Sequence, residues 1–245
     1  MIDSEQYQEI LDFLPLQFRD PGEQEYIAFL WDAFDSNLRA EKYQFAFMAY
    51  HMMFMSFVYF NVWQVKTIRH RDFQMIKLGF SDALGKAGSP FAFSEENESK
   101  ILDLLRYVCS DHSDVNALIG KFKALVKERN KIAHASGLIP FSTPEYLDAK
   151  CKEILRYAGE VQGYCKSIIH ECFINFLIES QDPDTRENID TKEHLDSELL
   201  KKYYLSAMDV KQCLEVSYSV VESQPGIEAI VDLFETLREQ YSVEP

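Results

Sequence analysis

The stretch Phe45 to Trp63, FAFMAYHMMFMSFVYFNVW, decides how the rest of the chain is read. It is long enough to span a bilayer. Yet it is rich in methionine and aromatics, poor in leucine and isoleucine, and interrupted by His51, Ser56 and Asn61. A segment apolar on every face is either a membrane span or a helix enclosed by its own protein. The remaining sequence offers no second span, and acidic residues from Asp3 onward do not resemble a signal peptide. The expectation is a soluble, cytoplasmic protein with this segment as the central helix of a bundle. A membrane-associated protein using Phe45–Trp63 is the competing class, and it predicts detergent dependence.

Composition supports that expectation. The chain has 245 residues, 40 acidic against 25 basic, and a formal charge of −15. That balance excludes a protein that coats nucleic acid by bulk charge, so no DNA partner is indicated and any RNA contact must be local. Hydrophobic residues make up 47%, which excludes global disorder. Nine glycines and eight prolines are too few for a many-turned β architecture. Cys109, Cys151, Cys165, Cys172 and Cys213 are odd in number and scattered, with no CxxC, which suggests reduced thiols.

Working outward, apolar residues recur at helical spacing. A short helix is expected over Ser4–Leu14, a second from Asp20-Pro21-Gly22 to about Leu38, and a long one from Glu41 to about Leu78. Gly85, Gly88 and Pro90 mark a loop, with Ser94 as N-cap for Glu95–Cys109. Val115–His134 follows and ends at Gly137. Beyond the loop at Pro140 and Ser142, Thr143-Pro144-Glu145 opens a helix running to about Glu179. Residues 179–198 form an acidic connector, and Gln224-Pro225-Gly226 precedes a helix over Ile227–Tyr241. The expected organisation is an N-terminal helical addition over 1–40, an antiparallel four-helix bundle over 41–180, and an acidic connector with C-terminal helices over 181–245, packed on the bundle.

The chemistry is concentrated in Lys121–His134, KFKALVKERNKIAH. At about 100° per residue, Val115, Leu118, Ile119, Phe122, Leu125, Val126, Ile132 and Ala133 form one apolar stripe, and Arg129 falls in its middle. An unpaired guanidinium on a buried face is prohibitively costly. Arg129 must therefore meet a carboxylate, line a cleft, or sit at a subunit interface. Lys123, Lys127, Asn130, Lys131 and His134 share a second arc, and residues 121–131 hold five basic side chains against one acidic. A solvated lysine face is the ordinary explanation. A histidine among cations on an acidic chain is also what a phosphodiester-cleaving site needs, because histidine moves protons near neutral pH while arginine and lysine stabilise charge on phosphate.

Arg129-Asn130-Lys131-Ile132-Ala133-His134 resembles the RxxxxH motif of the HEPN (higher eukaryote and prokaryote nucleotide-binding) family, with a polar residue after the arginine. The resemblance covers roughly residues 41–179. It implies an all-α HEPN-like bundle and a metal-independent endoribonuclease without cofactor, homodimeric, with two motifs across a shared cleft. By that analogy Arg129 binds the scissile phosphate, and His134 assists attack of the RNA 2′-hydroxyl or protonates the 5′-oxygen. Asn130 positions either group, while Lys123, Lys127 and Lys131 guide the RNA backbone. Family members commonly act as toxins or in antiviral defence, which implies a protein inhibitor or antitoxin as a partner. Ser136 stands where toxins paired with nucleotidyltransferase antitoxins carry a tyrosine. On a straight helix Arg129 and His134 point about 140° apart, so either the helix loosens or two protomers combine their groups. Should Arg129 be locked by acids of its own subunit while His134 points into water, the nuclease reading fails. The rival reading is a non-catalytic helical interaction module in which Arg129 makes a structural ion pair.

Other candidates read as structure. His51 fits a core or groove histidine, and Arg69, His70 and Arg71 a solvated helix end. Asp111-His112-Ser113-Asp114 fits capping rather than a hydrolase triad. His170-Glu171-Cys172 lacks metal-site spacing. Asp182, Asp184 and Asp190 lack the glycine and terminal glutamate of a calcium loop.

Overall fold

The structure, a computed structural model, describes residues 4–76, 80, 82–108, 113–134, 139, 143–181, 190–217 and 227–241. Among them the chain is all-helical, with one isolated antiparallel bridge between Pro15 and Ser206. A 3₁₀ segment over Ser4–Phe13 leads into α1 (Pro21–Arg39), α2 (Tyr43–Ile68), α3 (His70–Ile76) and α4 (Asp82–Lys86). After a 3₁₀ turn at Pro90–Glu95 come α5 (Glu98–Val108), α6 (Val115–Ala133), α7 (Pro144–Tyr164) and α8 (Lys166–Glu179). The chain continues through α9 (Thr191–His194), a π-helical turn at Leu195–Lys201, α10 (Ala207–Cys213) and α11 (Ile227–Tyr241).

The aromatic helix α2 is the axis of the molecule. Its most apolar window is 83% buried, and it packs against α1, α5, α6, α7 and α8. Each fully buried Phe or Met contributes roughly 1.5–3 kcal/mol over exposure, so a helix carrying them on every face is driven to the centre. This burial within its own chain is consistent with a soluble protein. Phe122 of α6 lies 5.3 Å from the ring of Phe54 on α2 and 5.3 Å from Tyr157 on α7, which ties three helices at one point. Helix α1 starts where Asp20 accepts a 2.7 Å hydrogen bond from the Gly22 N–H, with Pro21 at its first position. Its stripe of Ile27, Leu30, Phe34 and Leu38 joins the same core as α2 and α6.

Several boundaries differ from the sequence reading. Helix α2 ends at Ile68 rather than near Leu78, and Arg69 forks onto Glu171 of α8, with Nε donating at 2.8 Å. Arg69 is therefore a tether between helices and not a solvated terminus. The helix expected to run unbroken to Glu179 divides at Cys165 into α7 and α8. Ser94 lies inside the 3₁₀ turn, and it is Asn97 that accepts from the Ser99 N–H at 2.9 Å as α5 begins. Asp114 makes no side-chain cap on α6. The acidic connector contains α9, capped by Asp190, and runs into the π-helical turn, in which Leu195, Leu199 and Leu200 are fully buried. Those three leucines outweigh the surrounding charge. Thr143 caps α7 as expected. The readings at Cys109, Asp111, His112, Ser136, Gly137, Pro140, Ser142, Asp182, Asp184 and residues 224–226 lie outside the described residues.

Candidate functional site

Helices α5 and α6 pack together, and each carries one charged residue on its apolar stripe. On α6, Leu118, Ile119, Phe122, Leu125 and Val126 are buried. Arg129 follows at helical spacing, with its side chain 23% exposed. On α5, Ile101, Leu102 and Leu105 are buried, and Glu98 precedes them at the same spacing. The two meet: Arg129 Nη2 pairs with Glu98 Oε1. Of the three outcomes open to a stripe arginine, this one is realised within a single chain.

Behind Glu98 stands His51, fully buried on α2, with Nε2 3.1 Å from Glu98 Oε2. Burial pushes the Glu98 carboxyl up, but the hydrogen bond and charge of His51, together with Arg129, overcome it and hold the group below the usual glutamate range. Glu98 is thus a charged hub between a buried imidazole and a half-buried guanidinium. The hub fixes Arg129 through one nitrogen. Its Nε and Nη1 have no partner among the described residues and remain available to an anion.

The other half of the motif is arranged differently. Helix α6 ends at Ala133, and His134 takes an extended backbone (φ −97°, ψ 143°) while its N–H closes the last turn on the Asn130 carbonyl at 3.0 Å. The projection on a straight helix stops applying at that residue. The His134 side chain is exposed and has no hydrogen-bond partner among the described residues. Asn130 is half-buried, its carboxamide likewise without such a partner. Lys127 and Lys131 are exposed, whereas Lys123 donates to both oxygens of Asp103 at 2.7 Å. The cationic arc is therefore partly spent on acids of its own chain. Within one chain no contact brings His134 to Arg129.

The sequence reading did not single out Glu98. The signal was present, since a carboxylate at position 98 followed by Ile101, Leu102 and Leu105 repeats on α5 the anomaly that marks Arg129 on α6. Compared with models of protein families, with curated proteins and with solved structures, the chain matches none.

Proposed function

We propose that this protein is a HEPN-type, metal-independent endoribonuclease whose composite cleft forms when two copies associate, with the helices around α2 as its bundle. The observation that carries the reading is how the RxxxxH segment divides: Arg129 is oriented by Glu98 yet keeps unspent donors, while His134 is released from the helix and exposed. An oriented guanidinium binds phosphate at lower entropic cost than a mobile one. An exposed imidazole is free to approach an RNA 2′-hydroxyl or leaving oxygen across a dimer axis. Asn130 and Lys127 lie on the same end of α6 to hold the flanking backbone. Cleavage of this kind leaves 2′,3′-cyclic phosphate and 5′-hydroxyl ends. A toxin or defence role, with a protein inhibitor, follows from the same resemblance.

A specific observation favours a second reading. Within a single chain the arrangement is the one on which the nuclease reading fails, with Arg129 held by Glu98 and His51 behind it and His134 facing water, as in a non-catalytic interaction module. The nuclease reading therefore rests on a second copy bringing its own groups to this end of α6. The two readings separate when purified protein is incubated with total RNA or tRNA in excess EDTA. The nuclease yields cleavage that is lost in both Arg129→Ala and His134→Ala. Full activity in His134→Ala, or no cleavage by the unaltered protein, leaves the interaction module.

A further inference from the structure

A cavity of about 840 Å³ lies between α1, α2 and the segment 88–98, within the size range of small-molecule sites. Glu98 contributes to its wall, and so does a second buried carboxylate, Glu23, which is 8% exposed. Glu23 accepts hydrogen bonds from the Ser89 hydroxyl at 2.5 Å and the Tyr204 hydroxyl at 2.7 Å. Among the described residues it has no lysine, arginine or histidine within ion-pair distance. Arg19, which lines the same cavity, is committed elsewhere: its guanidinium donates to the Lys201 and Lys202 carbonyls and lies over the rings of Trp63 and Tyr204. The N-terminal end of α1 offers Glu23 a partial positive charge, but no full counter-charge reaches it. Buried charges in proteins are ordinarily paired.

The rest of the lining says what kind of counter-charge fits. Tyr26, Tyr59, Phe91 and Tyr204 supply aromatic rings, whose faces attract alkylammonium groups. Tyr59 is only 6% exposed, and its hydroxyl has no hydrogen-bond partner among the described residues, so it stands ready to accept from a bound N–H. Tyr204 is held in the left-handed backbone region (φ 52°), a conformation that L side chains adopt at a cost, in the same residue that donates to Glu23.

We infer that this cavity is a binding site for a linear alkylamine of the polyamine type, with Glu23 as its anionic anchor, Tyr59 as a further acceptor and the aromatic rings enclosing the methylene stem. The site stands apart from the reading of His134 as a nuclease residue, and its test reads binding rather than RNA cleavage.

Isothermal titration of the full chain with spermidine and with 1,5-diaminopentane tests the inference, with a diol of matched length and Mg²⁺ as controls. The expected result is saturable one-site binding of the amines only. Affinity falls about tenfold or more in Glu23→Gln and is unchanged in Glu239→Gln, which alters an exposed carboxylate. Tyr59→Phe removes the further acceptor while keeping the ring, and it is expected to weaken binding should Glu23→Gln fail to fold. Equal affinity in Glu23→Gln and Glu239→Gln, undiminished affinity in Tyr59→Phe, or equal uptake of Mg²⁺ or the diol would overturn the inference, because general attraction to an acidic chain would then explain the signal.

Discussion

From Val115 to Val126, helix α6 is a core element whose stripe ends against α2 and α7 through Phe122. From Lys127 to His134 the same helix leaves the core, its stripe position is taken by Arg129, and its last side chain is exposed. The apolar stripe of the first half is buried by its own chain. The second half is satisfied only in part: Arg129 has Glu98, while Asn130, Lys127 and His134 have no side-chain partner among the described residues. The contrast teaches where to look for chemistry on a helix of this kind, at the turn where the hydrophobic period persists but the residue filling it is charged.

The sharpest way to break the contrast is His134→Ala. Removing a group that transfers a proton costs about 10²–10⁴-fold in rate, and an exposed terminal residue costs under about 0.5 kcal/mol in stability. Under the nuclease reading, RNA cleavage assays beside thermal melts should show lost activity at unchanged Tm. Phe122→Ala should do the reverse, with a loss of about 3–5 kcal/mol in denaturant unfolding, because the cavity it leaves borders three helices. Arg129→Ala should lower stability by about 1–3 kcal/mol, since it leaves the partly buried Glu98 with His51 as its one remaining partner among the described residues. Under the nuclease reading it abolishes cleavage as well, and under the module reading stability is its only effect.

Acid sharpens the same comparison. Because Glu98 is held below its usual value of 4.5, its pairing stabilises the protein fully above that pH and is lost as pH falls through the depressed value. Between about pH 5 and pH 3 the Tm of the unaltered protein should therefore fall more steeply than that of Glu98→Gln. Parallel curves would mean that folding does not lower the Glu98 pKa. The smallest effect belongs to Lys127→Ala, which should leave stability unchanged and, under the nuclease reading, reduce the salt dependence of RNA binding by about one unit of slope.

The all-helical class was legible because the 3.6-residue period runs through nearly every segment, and α2 was legible as a central helix because no face of it is polar. The places that escaped reading share a physical cause. Arg69 and Cys165 interrupt helices through tertiary contacts and local geometry that no period reports, and Leu195, Leu199 and Leu200 were masked by the acids around them. The candidate site was half legible. Arg129 stood out as a charge on an apolar stripe, but its partner Glu98 could be found only by applying the same test to α5. Applied to α1, that test also finds Glu23, which precedes Ile27, Leu30, Phe34 and Leu38 on one face. Partners across helices are set by packing, and packing is what the period of a single helix does not contain.

The composite cleft is the point on which the nuclease reading turns, because one chain alone leaves Arg129 with its own acid and His134 in water. Sedimentation velocity of the purified protein at about 10 µM, near the affinity range of specific but reversible association, tests it most directly. The expected result is a homodimer that persists in EDTA. A stable monomer would contradict it and return Arg129, Glu98 and His51 to a purely structural role.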